Sequence, residues 1–225
     1  MEKDRQAGAE TTLHWFGHAS FRMRHKGTVI YIDPWKLREE PQDATIVLVS
    51  HGHQDHYSPQ DIVRVKGYQT ELVASADVIE EEGGGHVLVP GLTVTIGAVK
   101  ITGVPAYNPA KRFHPKGSGW VGFVIELGGK RIYYAGDTDL LEEMKTLGKI
   151  DVAMLPIGGT YTMDAEEAAQ AANSIRPELA IPYHWGDIVG GRDDAEKFAK
   201  LCHCAVKVLH EGQTIVLDRE EPIKS

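Results

Sequence analysis

Five apolar runs in this sequence each end in a polar or glycine-rich cluster, and this repetition restricts the fold more than any other pattern in the chain. The clusters are Ile32-Asp33-Pro34-Trp35, Val49-Ser50-His51, Ala135-Gly136-Asp137-Thr138, Leu155-Pro156-Ile157-Gly158-Gly159 and Pro182-Tyr183-His184-Trp185-Gly186. Reactive side chains commonly lie in loops on a rigid scaffold, and in α/β sheets the crevice beyond the carboxyl ends of the strands is the usual ligand site. We therefore expect these five ends to meet at one rim.

Short β-type runs separated by turn residues fill the first half of the chain. They predict strands at 13–16, 21–24, 29–32, 46–49, 87–89, 94–96, 99–104, 121–127 and 132–135. Strands at 152–155, 179–182 and 206–209 alternate with helical patterns in the second half. Helices are expected to start near Ser58, Asp139 and Asp164, which resemble N-caps. This order predicts an α/β protein, a four-layer αββα sandwich of two mixed sheets flanked by helices.

Length and composition exclude several classes of protein. The chain has 225 residues and 42% hydrophobic residues, which fits one domain, 1–225, with frayed ends at 1–10 and 219–225. The formal charge is −8 and lysines and arginines do not cluster, so the electrostatic footprint of a nucleic-acid binder is missing. The apolar runs are only strand-sized and no secretory segment is visible, so we expect a cytoplasmic protein without a membrane segment.

The two cysteines do not suggest a disulfide framework. Cys202 and Cys204 are one residue apart, which is poor spacing for a disulfide and fits a reducing compartment. Cys202-His203-Cys204 has the composition of a metal site, but it ends an amphipathic helix. We therefore expect ordinary packing there.

The densest cluster of ligand-type side chains is His51-Gly52-His53-Gln54-Asp55-His56, directly after the predicted strand 45–50. Imidazole and carboxylate ligands suit zinc, iron or manganese. Alternation in an extended loop can aim His51 and His53 the same way, which leaves Asp55 and His56 for a second ion. A polar loop with histidines by chance is the weaker alternative, because three histidines and an aspartate fall within six residues after a strand.

This run resembles the H-x-H-x-D-H signature of the metallo-β-lactamase superfamily. Tyr134-Ala135-Gly136-Asp137-Thr138 resembles its bridging-aspartate motif and Ile181-Pro182-Tyr183-His184-Trp185-Gly186 its final histidine motif, in the expected order. The match spans 13 to about 217. More narrowly, Trp15-Phe16-Gly17-His18-Ala19-Ser20, Asp33-Pro34 and Pro156-Ile157-Gly158 resemble the branch that contains L-ascorbate-6-phosphate lactonases and N-acyl-phosphatidylethanolamine phospholipase D.

The resemblance implies two divalent metal ions, with zinc as the default and manganese or iron as alternatives. One ion would be held by His51, His53 and a third histidine, and the other by Asp55, His56 and His184, with Asp137 bridging both. A hydroxide that bridges the ions would be the nucleophile.

The candidate catalytic residues are Asp55, Asp137 and His18. His18 could contact the substrate or donate a proton to the leaving group, or it could be a satisfied loop histidine. Asp33 could hold a ligand histidine by a hydrogen bond, or it could only close a turn with Pro34.

The third histidine departs from the pattern of this branch. Relatives usually carry it as Pro-Ala-x-His, but Val104-Pro105-Ala106-Tyr107-Asn108 has an asparagine there. His114 is the nearest replacement, and the glycine-rich segment 116–119 could let its loop fold back. We therefore predict His114 as the ligand; the alternative is a loop histidine, with His18 or a water in its place.

These patterns predict a metal-dependent hydrolase that acts on a small lactone, ester or phosphorylated substrate. A nuclease should carry a basic stripe, and the 47-residue interval from Asp137 to His184 leaves little room for a clamp domain. A lipid phosphodiesterase would need an apolar surface patch. A non-catalytic binding protein should have lost ligands. A homo-oligomer is compatible with the sequence.

Overall fold

The computed structural model describes residues 10–217. The strands of this part are β1 Thr11–Gly17, β2 Ser20–His25, β3 Thr28–Ile32, β4 Ala44–Val49, β5 Lys66–Ala74, β6 His86–Val87, β7 Thr93–Ile96, β8 Val99–Pro105, β9 Val121–Leu127, β10 Lys130–Tyr134, β11 Val152–Pro156, β12 Leu179–Tyr183, β13 Ala205–Val206 and β14 Thr214–Val216. Its α-helices are α1 Pro59–Val65, α2 Ala76–Glu82, α3 Ala165–Ile175 and α4 Arg192–Leu201. The ends predicted to be frayed, 1–10 and 219–225, lie outside the described residues apart from Glu10.

The strands form two seven-stranded sheets, and each sheet is antiparallel in one half and parallel in the other. The first has the order β14-β1-β2-β3-β4-β5-β6 and the second the order β13-β12-β11-β10-β9-β8-β7. In the first sheet, neighbours are antiparallel from β14 to β3 and parallel from β3 to β6. In the second, they are parallel from β13 to β10 and antiparallel from β10 to β7. The predicted pair of mixed sheets is confirmed.

Strands β3 and β4 are buried on both faces. Successive side chains of a strand point to opposite faces, so such a strand must be apolar throughout. One face joins the core between the two sheets, with Ile30, Ile32, Ile46 and Leu48. The other face joins a second core under α1 and α2, with Val29, Tyr31, Val47, Val49, Ile62, Val65 and Val78. Helices therefore cover the outer face of the first sheet.

Helices α3 and α4 pack against the second sheet, on β11 and β12. Helix α3 begins as predicted, because Asp164 accepts a hydrogen bond from the Glu167 backbone and the Glu167 side chain accepts one from the Asp164 backbone. Its buried face consists mainly of alanines, which let the helix lie close to its neighbours. The four layers are thus helix, sheet, sheet and helix, as predicted.

The helix predicted to start at Asp139 is wrong. Leu141 is extended, and only a short 3₁₀ helix follows at Glu142–Thr146. The Asp139 carboxylate lies 2.7 Å from Lys111 Nζ, so it serves an ion pair instead of a helix cap. The predicted strands at 87–89 and 206–209 are also shifted, to His86–Val87 and Ala205–Val206.

In the part of the chain that the structure describes, no helix is long and apolar enough to cross a membrane. Cys202 and Cys204 are free thiols, half-buried at the end of α4. Both pack against the large hydrophobic cluster that includes the buried faces of α3 and α4, in agreement with the prediction of ordinary packing.

Candidate metal centre

The five strand ends meet at one rim, as the sequence predicts. They carry Asp33 after β3, His51 after β4, Asp137 after β10, Gly158 after β11 and His184 after β12. Gly158 lies so close to His184 that an added Cβ would be 2.9 Å from His184 Nδ1. His114 reaches the same rim from the loop between β8 and β9.

Among the described residues, side chains able to hold a metal ion form three overlapping groups. The groups are His51, His53 and His114; His18, Asp55, His56 and His184; and His51, His56 and Asp137. Within each group the ligand atoms lie within 4.8 Å of one another. The structure therefore brings together all seven residues predicted as ligands, and His18 with them.

Asp33 is a buried carboxylate behind His56 that accepts four hydrogen bonds. Its Oδ2 accepts hydrogen bonds from Ser50 Oγ at 2.6 Å, His56 Nδ1 at 2.7 Å and Tyr134 OH at 2.6 Å, while Oδ1 accepts one from Ser50 N at 2.8 Å. Because Nδ1 of His56 is held this way, its Nε2 is the nitrogen left for the centre. The predicted hydrogen bond from Asp33 to a histidine of the centre is present, and the carboxylate does more than close a turn.

Ser50 extends this support to His51. Its hydroxyl donates to Asp33 and lies 2.9 Å from His51 Nδ1, so it can accept from that nitrogen. The other nitrogen, His51 Nε2, lies 3.0 Å from His53 Nδ1. Both histidines belong to the group that also contains His114.

Asn108 holds His114. Its Oδ1 accepts from the His114 backbone N–H at 3.0 Å and lies 2.8 Å from His114 Nδ1, and its own backbone N–H donates to His114 O at 2.7 Å. The amide nitrogen of Asn108 donates to Tyr161 O at 3.0 Å, which fixes the orientation of the amide. The asparagine therefore stands at the sequence position of the expected histidine, and its hydrogen bond to Nδ1 leaves Nε2 of His114 for the centre.

His18 supports the centre from the turn after β1. Its Nε2 lies 2.9 Å from Asp55 Oδ2, and its carbonyl accepts from His184 N at 3.0 Å. The rings of His18 and His184 have centroids 4.0 Å apart. This contact with Asp55 shows how His18 positions the centre, while a part in catalysis stays a prediction.

Several buried atoms of the centre have no hydrogen-bond partner within the described residues: His56 Nε2, His114 Nε2, His184 Nε2 and Asp137 Oδ1. Asp137 lies 3.1 Å from His56 and from His184, and 3.3 Å from His114. These distances are short enough for hydrogen bonds, but the angles are not favourable. Buried polar atoms without partners call for an ion or a water molecule between them.

The two carboxylates of the centre are ionised. Burial alone would raise the pKa of Asp137, but the neighbouring His184 and His56 outweigh it and hold the pKa well below its usual range. Burial likewise opposes ionisation of Asp55, but the hydrogen bond with His18 and the nearby His184, 3.5 Å away, lower its pKa nevertheless. Ionised carboxylates are the form that binds cations.

The histidines divide into two classes by their surroundings. Burial lowers the pKa of His51 and His53, so both are neutral imidazoles. Burial would also lower the pKa of His56 and His184, but the Asp137 carboxylate outweighs it and raises both. Protons on His56 and His184 thus balance the carboxylates in the metal-free protein, and a divalent cation could take over that balance.

Trp120 is a part of the site that the sequence did not predict. The centroid of its ring lies 4.8 Å from the ring centroids of His51 and His53, and 5.7 Å from that of His114. The indole nitrogen donates to Asp77 Oδ2 at 2.9 Å, which anchors the ring. In the sequence, only the position of Trp120 directly after the glycine-rich segment 116–119 could have drawn attention to it. That position does not reveal that the indole ring packs on the histidines of the centre.

Comparison with known proteins agrees with this geometry. The family model described as "Beta-lactamase superfamily domain" matches residues 12–184, which is most of the chain. A UPF0173 metal-dependent hydrolase from Caldivirga maquilingensis is 34% identical, over 94% of this chain and 99% of the relative.

Solved structures show the same fold. Igni18, a metallo hydrolase from the archaeon Ignicoccus hospitalis, superposes with a TM-score of 0.76 at 26% identity, over 93% of this chain and 99% of its own. The metallo-beta-lactamase fold protein YhfI from Bacillus subtilis superposes with a TM-score of 0.74 at 14% identity, over 92% and 99% of the two chains. With the family model matched and the two mixed sheets in place, the chain belongs to the beta-lactamase superfamily and has the metallo-β-lactamase fold.

Proposed function

We propose that this protein is a metal-dependent hydrolase that uses two divalent cations at the rim to cleave a small lactone, ester or phosphorylated substrate. The observation that carries this proposal is the set of buried nitrogen and oxygen atoms that face one another without hydrogen bonds. Leaving such groups unsatisfied is costly unless an ion or water completes them. Relatives over nearly the whole chain are named metal-dependent hydrolases, which supports the same reading.

The donor set fits divalent cations of borderline softness. It consists of imidazole nitrogens and carboxylate oxygens without a thiolate, which suits zinc by default and also manganese or iron. We assign one cation to His51, His53 and His114, and the other to Asp55, His56 and His184, with Asp137 between them. When bound, the cations would lower the pKa of a water molecule so that it can attack, and would polarise the scissile carbonyl or phosphoryl group.

The chain's own residues hold this arrangement ready. Asp33 and Ser50 orient His56 and His51 through buried hydrogen bonds. Rigid support of this kind positions reacting groups before the substrate arrives. We also propose a catalytic part for His18, because its Nδ1 is buried without a hydrogen-bond partner among residues 10–217 while its Nε2 contacts Asp55.

The first experiment removes and restores the metal. We expect a chelator to abolish turnover of a panel of lactones, esters, thioesters and phosphodiesters, and zinc, manganese or iron to restore it. Elemental analysis should find two ions per chain in the active protein. Turnover by protein shown to be metal-free would contradict the proposal.

Variants separate the two cation positions. The double substitution His51→Ala with His53→Ala should remove about one ion and leave one at Asp55, His56 and His184, because the two ligand sets are largely separate. His86→Ala, at an exposed histidine paired with Glu71, is the matched control and should keep both ions. If the control also loses ions, the loss of metal in the double variant is not specific to the ligands His51 and His53.

The substrate panel also decides between the proposed class and its rivals. The charge of −8 favours small substrates over nucleic acid. Salt-sensitive cleavage of RNA or DNA with no turnover of small substrates would make the protein a nuclease, and cleavage of phospholipids alone would make it a lipid phosphodiesterase. A cytoplasmic location and a homo-oligomer remain predictions, to be tested by cell fractionation and by light scattering.

A further inference from the structure

A cleft of about 570 Å³ borders the candidate metal centre. Three segments next to the centre also form its walls: His18; Trp35, Lys36 and Arg38 after Asp33; and the residues after His184 from Trp185 to Asp187. Its volume is ordinary for a small-molecule site. A molecule in this cleft would lie beside His18, which contacts Asp55 of the centre.

Lys36 enters this cleft from a strained backbone. Its φ is +54°, in the left-handed region that side chains other than glycine rarely adopt. Three other residues of the rim share this conformation, with φ +47° at His18, +43° at Asp33 and +62° at His184. Such strain persists only where the surroundings hold it, and it concentrates at functional sites. Lys36 is the member of this set without a role in the metal centre.

Asp61 of α1 holds the strained turn in place. Its Oδ2 accepts from the Lys36 backbone N–H at 2.9 Å, and its Oδ1 accepts from the Leu37 N–H at 3.1 Å. Asp61 is itself buried and is bonded to Arg64 at 3.0 Å. The backbone of Lys36 is therefore fixed by a buried carboxylate, so its side chain starts from one defined position.

The ammonium group of Lys36 spans the cleft. It lies 4.0 Å above the centre of the Trp35 ring and 2.7 Å from Asp187 Oδ2. The side chains of Lys36 and Asp187 are 57% and 41% exposed, and ion pairs at this exposure are weak. An incoming anion can therefore replace Asp187 at the ammonium group without a large loss.

Three cationic side chains line the cleft although the chain is acidic. Lys36, Arg38 and Arg192 stand against the carboxylates of Asp187 and Glu211. Arg38 lies 3.8 Å from Glu211, and Arg192 pairs at 3.0 Å with Glu196 outside the cleft wall. Each cation thus has a carboxylate beside it, in a protein of net charge −8. Ion pairs as exposed as these are weak, so an anionic ligand can compete with the carboxylates for the cations.

We infer that this cleft binds the substrate and that Lys36 selects substrates with an anionic group, a carboxylate or a phosphate, next to an apolar portion that packs on Trp35. The inference rests on the proposed function, because hydrolysis at the rim is what makes a ligand of the cleft a substrate. Lys36 supplies the positive charge and Trp35 supplies the apolar surface. Asp187 pairs with the ammonium group of Lys36 when the anion is absent.

Equilibrium binding tests the selection independently of turnover. Zinc-loaded protein is titrated with phenylacetate, benzylphosphonate and neutral phenylacetamide, and binding is followed by calorimetry. We expect the anions to bind roughly tenfold more tightly than the amide, as a charge-assisted hydrogen bond allows. Tighter binding of benzylphosphonate than of phenylacetate would assign the anion as phosphate, and the reverse order would assign it as carboxylate.

Variants show whether Lys36 is responsible. Lys36→Met keeps the length of the side chain and should weaken anion binding roughly tenfold, with amide binding changed less than twofold. Lys26→Met is the matched control, because Lys26 also has a left-handed backbone, with φ +51°, but is exposed in the turn between β2 and β3. An anion on the metal ions alone would bind the Lys36 variant and the wild type equally, and that result would overturn the inference.

In contrast to Lys36→Met, the substitution Asp187→Asn should strengthen the binding of anions. Removing the competing carboxylate should strengthen anion binding several-fold, a gain that misfolding cannot produce. Equal affinity for anions and amide in the wild-type protein would also overturn the inference.

Turnover links the cleft to the reaction. In Lys36→Met, KM should rise for the anionic ester mono-4-nitrophenyl succinate and stay unchanged for neutral 4-nitrophenyl butyrate, with the metal content and kcat retained. Selective anion binding that depends on Lys36, without hydrolysis of any ester, lactone or phosphodiester, would refute the proposed function while leaving an anion site.

Discussion

Asn108 and His114 lie six residues apart, and the hydrogen bonds between them decide which nitrogen of His114 faces the rim. Leucine at position 108 removes the acceptor, so we predict that Asn108→Leu lowers the affinity of the three-histidine position roughly 10–100-fold. Asn108→Asp keeps the acceptor and should retain the metal. Competition with a chromophoric chelator measures both affinities.

The control for Asn108 is Asn173→Leu, since Asn173 bonds to the end of α4 and not to the centre. Rescue by aspartate is the informative result, because a merely structural role would not distinguish the two substitutions at 108. Equal metal affinity in Asn108→Leu and the wild type would return His114 to an ordinary loop histidine.

The thiol pair gives a second prediction for single residues. A hydrogen bond from Cys202 lowers the pKa of Cys204 to about 7, against the effect of burial, whereas the pKa of Cys202 is raised. Thiolates are the reactive form, so alkylation of Cys204 by iodoacetamide should accelerate as the pH rises through about 7. In Cys202→Ala the midpoint should move up by about one unit or more, toward that of a free cysteine. An unchanged midpoint would show that Cys202 does not donate this bond.

Residue types and spacing pointed to four side chains of the candidate centre, because three histidines and an aspartate in six residues are rare outside metal sites, and the family resemblance added Asp137 and His184. They did not reveal how Asn108 serves His114, nor that Trp120 covers the histidines. Both contacts depend on how the loop 106–120 folds back, and that path is decided by tertiary hydrogen bonds that sequence spacing does not encode.

At the scale of elements, the apolar pattern predicts most of the strands, including the exposed β7, but it misses β5 and β14. The first six residues of β5, from Lys66 to Glu71, are half-buried or exposed, and the strand is held by pairing with β4. Helix α2 is also mostly exposed and buries Val78. Without a buried face to repeat, neither element leaves a periodic signal.

The loop after β11 supports a prediction about close packing between elements. A Cβ at Gly158 would lie 2.6 Å from Val189 Cγ2 and 2.9 Å from both Nδ1 and O of His184. Gly158→Ala should therefore displace His184, weaken the cation at that position and lower stability by about 1–3 kcal/mol. Urea unfolding and elemental analysis measure the two effects.

Gly84→Ala is the matched control for Gly158. Gly84 has open space around its Cβ position and no left-handed φ, so the substitution should leave the metal content and stability unchanged. If Gly158→Ala behaves like this control, the approach of the two loops is looser than the structure shows.

At the scale of the whole molecule, the metal centre joins the two sheets. The segment 51–56 follows a strand of the first sheet, while Asp137 and His184 follow strands of the second. Each cation bound between them favours the folded state by mass action, by about 2.7 kcal/mol when the free ion is at 100 times its Kd. For a chain of this size that gain raises Tm by roughly 5–10 °C.

Calorimetric unfolding with chelator and with added zinc checks this value. The variant His51→Ala with His53→Ala should lose a large part of the gain, whereas His86→Ala should keep it. A Tm that does not respond to zinc in the wild-type protein would mean that the ions do not bridge the sheets.

The six-residue displacement from Asn108 to His114 also affects how such chains are classified. A search pattern that requires histidine at the fifth position of Val104-Pro105-Ala106-Tyr107-Asn108 would sort this protein among degenerate copies that have lost catalysis. A template written in space, with three imidazoles within 4.8 Å, retains it. If His114 is the third ligand, a survey that counts inactive members of such a superfamily by linear patterns therefore counts this protein wrongly, because the residue at the expected position supports a histidine six residues further on.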